Sequence, residues 1–231
     1  MLTAAEWAEA RLGYVFRDPG LLDAALTHRS ASKRNYERLE FLGDSVLNFA
    51  TAVLLYRAYP DADEGDLSRY RATLVSGSSL AAVAASLGLG DQLRLGSGEL
   101  KTGGYRRGSI LADALEALFG AVYVDGGFAA AHAVIEQLFA GRLGQLPEAQ
   151  ELKDPKTRLQ ELLQARGLPL PVYALDAVSG EPHEQRFVAS CEVAALEVRA
   201  SGAGSSRRRA EQEAAQQVLE RITGDEVTAD D

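Results

Sequence analysis

Residues 109–124, SILADALEALFGAVYV, are apolar on almost every side, so a helix made from them must be enclosed by the rest of the chain. Asp113 and Glu116 interrupt that stretch three residues apart, which makes them neighbours on one helical face. An ionised carboxylate in apolar surroundings is unfavourable by several kcal/mol unless something compensates it. The fold must therefore bury this helix and answer two negative charges at the same time.

A second helical pattern shows the same irregularity. In ERLEFLGDSVL, residues 37–47, the acids Glu37, Glu40 and Asp44 fall at i, i+3 and i+7. At about 100° per residue they span roughly 60° of the helix circumference, a single acidic stripe flanked by Leu39, Leu42, Val46 and Leu47. Like charges stacked on one face repel. A solvated stripe, or pairing with Arg34, Arg38 or Arg57, would account for one such helix. Two helices with acids where local rules disfavour them point to a functional site. Clustered carboxylate oxygens suit a hard divalent cation such as Mg²⁺, with Mn²⁺ as a substitute.

Other site chemistries lack their residues. The positions three before His28, His132 and His183 are Ala25, Ala129 and Gly180, so no Glu-x-x-His pair for a di-iron centre exists. One cysteine and no histidine pair at ligand spacing argue against zinc. Neither a Ser-His-acid or Cys-His arrangement nor a Gly-x-x-x-x-Gly-Lys loop is present. Metal-activated water acting on a phosphodiester is the chemistry that remains.

The chain of 231 residues is long enough for two domains of unequal size. Up to residue 150 only helices are expected: near 3–11 and 18–27, a long one from Tyr36 to Tyr59, a pair broken at Ser76-Gly77, the apolar helix, a break at Asp125-Gly-Gly, and a helix to Leu143. The Gly-rich, basic segment 95–109 reads as a functional loop. No run approaches the length that spans a bilayer, the N-terminus has no signal-peptide core, and the single Cys191 fits a reducing cytoplasm. Beyond a Pro-containing linker the periodicity changes. KTRLQELLQARG is an amphipathic helix, PVYALDAV, RFVASCEV and LEVRAS are strands, and SSRRRAEQEAAQQVLERI is a closing helix. The expected organisation is an all-α domain (1–146), a linker (147–153), a small α-β-β-β-α domain (154–223) and a disordered acidic tail (224–231).

Net charge is −9, and both parts are acidic: residues 1–150 carry 14 basic and 18 acidic groups, residues 151–231 carry 10 and 15. Any nucleic-acid surface must be a local patch. Such a patch is legible in GAGSSRRRAEQ, 202–212. Ser205 or Ser206 caps a helix, and Arg207, Arg208 and Arg209 then occupy its first turn. There they oppose the helix dipole at a cost of a few tenths to about 1 kcal/mol, which a bound phosphate would reverse.

Together the motifs NYERLEFLGDSVL, DEGDLSR, GELKTGGYRR and SILADALEAL closely resemble the nuclease domain of bacterial ribonuclease III. The segment from DPKTRLQELLQ to GSSRRRAEQEAAQQVL resembles the double-stranded-RNA-binding domain that follows it in that family. The resemblance covers roughly residues 5–222. It implies an endoribonuclease for double-stranded RNA with Glu40, Asp44, Asp113 and Glu116 as metal ligands, Asp44 and Glu116 being the catalytic pair. Glu37 and Glu64 match further acids of the cleft. In the second domain it implies minor-groove contacts from Thr157, Gln160 and Glu161, and from Pro182 and His183, with Ser206 and Arg207 to Arg209 at the phosphates. The first-turn Ser-Ser-Arg-Arg-Arg departs from the lysine-rich pattern common at that position. A homodimer built on the signature helix is also implied, with Phe41 at its interface, as are 5′-phosphate products with short 3′ overhangs from ribosomal, messenger and transfer RNA precursors. Two rival classes stay open on sequence alone. One is a non-catalytic double-stranded-RNA-binding protein, which the intact acids oppose. The other is a phosphohydrolase of small esters, which the second domain opposes.

Overall fold

The structure is a computed structural model that describes residues 2–181 and 183–227. It divides into two compact units, Met1–Pro147 and Glu148–Asp231.

The first unit is helical: α1 (Ala4–Leu12), α2 (Pro19–Ala25), α3 (Glu37–Ala58), α4 (Glu64–Leu74), α5 (Gly77–Ser86), α6 (Ser97–Lys101) and α7 (Gly108–Leu143). Local chemistry sets many of the boundaries. Thr3 and Glu6 form a reciprocal capping box at α1, and Asp18, Asp63 and Ser76 cap α2, α4 and α5 through their side chains. Inside α7 the chain leaves helical geometry at Gly127 (φ 78°), within the expected Asp-Gly-Gly break. The segment 95–109 is more ordered than a loop, since it contains α6 and a 3-10 turn at Gly104–Arg106.

At the centre of this unit α3 packs against α7. Val46, Leu47, Ala50 and Leu54 of α3 and Leu115, Leu118, Phe119 and Val122 of α7 are buried. By length and composition both helices could cross a bilayer, with mean hydropathies of 1.3 and 1.5, contrary to the expectation from the sequence. Their apolar faces form the core of this unit instead. The crossing is very close. A Cβ on Gly43 would lie 1.8 Å from the Glu116 carbonyl oxygen, and one on Gly120 would lie 2.2 Å from that of Leu39. Only glycine lets the two backbones meet there.

The second unit has the order α8 (Pro155–Ala165), β1 (Val172–Ser179), β2 (Arg186–Val193), β3 (Val198–Gly204) and α9 (Arg207–Val227). The antiparallel sheet runs β1-β2-β3 with Tyr173 opposite Cys191 and Glu192 opposite Arg199. Leu159 and Leu163 of α8 and Ala214, Ala215, Val218 and Ile222 of α9 enclose Cys191, Val193 and Ala200 from the sheet. β3 begins two residues later than its sequence pattern, because Ala194–Leu196 forms a 3-10 turn and Glu197 takes a left-handed conformation (φ 55°). α9 continues to Val227, so residues 224–227, expected in a disordered tail, lie in helix. The remainder of that expected tail, 228–231, lies outside the described residues.

Candidate active site and RNA-binding surface

Because α3 and α7 touch through Gly43 and Gly120, the acids one turn away on each helix are brought together. Glu40, Asp113 and Glu116 are partly buried and offer one carboxylate oxygen each, all within 4.8 Å of one another. Among the described residues no salt bridge reaches any of the three. Their titration reflects that. Burial, and then the charges of Asp44, Asp113 and Glu40, push Glu116 up to about 7. Burial also raises Asp113, against the nearby His28 and Arg29, and burial together with Asp113 raises Glu40. A divalent cation would suit this set, with three oxygen donors within reach of one ion and charge that no salt bridge among the described residues neutralises.

Asp44 lies on the same stripe but outside this trio. It is exposed, and its Oδ1 accepts a hydrogen bond from Asn48 Nδ2 at 2.8 Å. Glu37 is exposed and pairs with Arg29 at 3.3 Å. Glu37, Glu40 and Asp113 line a cleft of about 310 Å³ with His28, Arg29, Glu99 and Arg107. Glu64, expected in this acidic cleft, lies elsewhere in the chain. It accepts from Ser68 Oγ at 2.9 Å and lines a separate groove with Tyr56 and Arg71.

Several cleft residues were not evident from the sequence. His28 and Arg29 are carried in by a backbone bridge in which His28 N–H donates to Arg94 O (3.0 Å) and Arg94 N–H donates to Leu26 O (2.8 Å). Arg107 reaches the rim by pairing with Glu99 at 3.0 Å. No periodicity marks these residues, but Glu99 and Arg107 fall in the Gly-rich basic segment 95–109 that the sequence reads as functional. The glycines at 43 and 120 do carry a signal, since glycine in the middle of an apolar helix is unfavourable unless something approaches closely.

In the second unit, Thr157, Gln160 and Glu161 share the exposed face of α8, opposite the buried Leu159 and Leu163. Glu161 is held by Lys153 at 2.7 Å. His183 is exposed in the turn between β1 and β2, and Pro182 lies outside the described residues. Ser206 accepts the Arg209 N–H through Oγ at 3.3 Å, so the cap falls on the second of the two serines. Arg207, Arg208 and Arg209 are exposed at the start of α9, as their sequence places them. Their cost against the helix dipole is met within the protein: Arg207 Nε donates to Glu211 at 2.8 Å, and Arg208 lies 3.4 Å from Asp154. Lys156, Glu211 and Asp154 were not among the residues expected at this surface.

A helical unit whose central crossing gathers unpaired carboxylates, followed by an α-β-β-β-α unit with a cluster of arginines at one helix start, defines a metal-dependent nuclease with an appended RNA-binding domain. Residues 18–143 match the Ribonuclease-III-like family and residues 155–222 match the double-stranded RNA binding motif. The chain is 55% identical over 222 residues to the Ribonuclease 3 of Alkalilimnicola ehrlichii, covering 96% of this chain and 97% of that one. It is 57% identical over 223 residues to that of Methylococcus capsulatus, with the same coverage. A solved nuclease domain of ribonuclease III from Campylobacter jejuni, described for flexibility in a region involved in dimer formation, superposes with a TM-score of 0.57. It is 44% identical, and the match covers 59% of this chain and 96% of that one. The chain belongs to the ribonuclease III family and is a double-stranded-RNA-specific endoribonuclease.

Proposed function

We infer that the chain hydrolyses phosphodiester bonds of duplex RNA at the carboxylate cluster, using Mg²⁺ with Mn²⁺ as a substitute. Glu40, Asp113 and Glu116 hold the ion, Asp44 completes the set, and Asp44 and Glu116 are the catalytic pair. The bound cation supplies an acidified water and neutralises a phosphate oxygen. The protein's part is to hold three carboxylates together with no salt bridge to any of them among the described residues, so that a cation would bind where the charge is already assembled. Arg29 and Arg107 on the cleft rim add positive charge beside it. The products are 5′-phosphate and 3′-hydroxyl ends with short 3′ overhangs, from ribosomal RNA precursors and some messenger and transfer RNAs in the cytoplasm.

The chain works as a homodimer. Phe41, Phe49 and Tyr56 are exposed on α3, Phe41 by 79%, and lie within about 80° of one another around the helix. Such an apolar stripe on a soluble enzyme suits a second copy.

The observation that carries this reading is the convergence of Glu40, Asp113 and Glu116 without a paired cation in a chain of this family. The test is cleavage of a long RNA duplex with and without Mg²⁺, by wild type and by Glu116→Gln. We expect metal-dependent cleavage by the wild type and a loss of at least about 10³-fold in the variant, because the charge that the metal needs is gone while shape is kept. Duplex binding by the variant should be unchanged. Wild-type cleavage by Glu116→Gln would remove the site assignment.

A further inference from the structure

The starts of α8 and α9 are joined by two carboxylates. Glu211, one turn into α9, has a side chain only 10% exposed, and each of its oxygens is taken by a different cation. Lys156 Nζ of α8 donates to Oε2 at 2.6 Å, and Arg207 Nε donates to Oε1 at 2.8 Å. Lys156 is held on a second side by the Tyr173 ring, whose centroid is 4.2 Å from its ammonium. Asp154 caps α8 by accepting the Lys156 N–H through Oδ1 at 2.9 Å. With Oδ2 it meets Arg208 at 3.4 Å and the side-chain amide of Gln212.

These bonds occupy few of the donors. Arg207 spends its Nε and keeps the terminal nitrogens of its guanidinium, and Lys156 keeps the rest of its ammonium. Arg207 and Arg208 remain 62% and 80% exposed. Three cations from two helices are thus held from the protein side, Lys156 partly covered with a side chain 30% exposed and the two arginines well exposed. Charge counting alone would treat Glu211 and Asp154 as liabilities near an RNA backbone.

We propose that Glu211 and Asp154 are positioning residues for duplex recognition, holding Lys156, Arg207 and Arg208 as one preorganised phosphate clamp. The proposal rests on the reading that the arginines starting α9 meet RNA phosphates. Long cationic side chains lose rotamer freedom when they bind, and side chains already fixed lose less. Lys156 joins the phosphate-binding set as a consequence.

The test uses the full-length protein and a labelled RNA duplex of about 20 base pairs, long enough for one RNA-binding domain. Affinity is titrated across salt concentrations without divalent cation, so that nothing is cut, at a temperature where circular dichroism shows each variant folded. Glu211→Gln and Asp154→Asn keep size and remove charge. Each should weaken binding about five- to tenfold and flatten the slope of log affinity against log salt by somewhat under one unit. A purely structural role would lower affinity with the slope unchanged, and would overturn the proposal. So would equal or tighter binding by both variants while Arg207→Ala binds weakly. If Arg207→Ala itself loses neither affinity nor slope, the phosphate reading falls and the clamp with it. Should Glu211→Gln fail to fold, Asp154→Asn carries the test, since asparagine caps a helix as well as aspartate.

Discussion

Both units carry partly buried acids, and the two sets keep opposite company. Glu40, Asp113 and Glu116 face one another across the α3–α7 crossing; burial raises all three, and neighbouring carboxylates add to the rise of Glu40 and Glu116. Glu211 is lowered by its hydrogen bonds from Lys156 and Arg207. Burial works to raise Asp154, but bonds from Gln212, the Lys156 backbone and Arg208 outweigh it and leave it lowered. The residue types are the same and the outcome is set by their partners. The first set has no salt bridge among the described residues, whereas the acids of the second are paired with cations of their own unit. An acid out of place in a helix therefore marks a site without saying which of these it is.

The largest effect is expected from parting the helices that assemble the first set. Gly43→Ala puts a methyl where the Glu116 carbonyl oxygen stands, and neither backbone can yield without moving the carboxylates. We expect a loss of about 3 kcal/mol or more in the first unit's stability, with cleavage falling beyond what stability explains. Gly141→Ala, at a position in α7 with nothing within 4 Å, is the control and should be neutral or stabilising by up to about 1 kcal/mol. Thermal melts of both variants check this. A wild-type melting temperature for Gly43→Ala would mean that the backbone contact does not set the cluster.

Much of this was legible in the sequence, and what escaped was of one kind. Helical period and acid spacing gave α3, α7 and the residues of the trio, because both are local properties of a 3.6-residue repeat. The α-β-β-β-α order followed from the change of period after residue 150. What helical period alone could not rank was which acids converge; the ligand set of Glu40, Asp44, Asp113 and Glu116 came from the family resemblance, and it includes Asp44, which lies outside the trio. Glu37, Glu40 and Asp44 are equivalent on the stripe, yet only Glu40 points into the trio, while Asp44 is held by Asn48 and Glu37 by Arg29. That choice depends on how deeply two helices interpenetrate. Likewise Glu211 reads as an ordinary i, i+4 partner of Arg207. Its second partner, Lys156, lies 55 residues away and becomes a neighbour only through tertiary packing.

A smaller effect is expected at the arginines that the second set of acids holds. Replacing Arg207, Arg208 and Arg209 by alanine should weaken duplex binding by about 10²-fold at moderate salt, whereas replacing the scattered Arg11, Arg142 and Arg221 should change it by no more than about threefold. From helix-dipole reasoning alone the first triple variant would keep or gain stability. The pairs to Glu211 and Asp154 reverse that expectation. Losing them leaves Glu211 with Lys156 alone, and the second unit should lose up to about 1 kcal/mol, since both arginines are well exposed. Binding isotherms and melts of the two triple variants separate these outcomes. Equal binding losses would mean that no focused patch exists.

The smallest expected effect distinguishes the two sets of acids by the sign of their pH dependence. A carboxyl whose folded pKa is raised stabilises the fold fully below its unfolded pKa and loses that contribution as pH rises through the folded value. For Glu116 the window runs from 4.5 to about 7. In the metal-free protein the first unit should therefore weaken across that interval, by about 1 kcal/mol once solvent screening is discounted. Glu211 and Asp154 are lowered, so their contribution is present above their unfolded values and is lost as pH falls through the folded ones. The second unit should stay level from pH 5 to 7 and weaken only in more acid solution. Melting the metal-free protein across this range, with Glu116→Gln in parallel, reads both signs. The variant should lose most of the decline between 4.5 and 7, and saturating Mg²⁺ should reverse it in the wild type, because a bound cation favours the ionised carboxylates. A first unit that instead gained stability as pH rose would show that its acids are already paired, and the contrast between the two sets would fall.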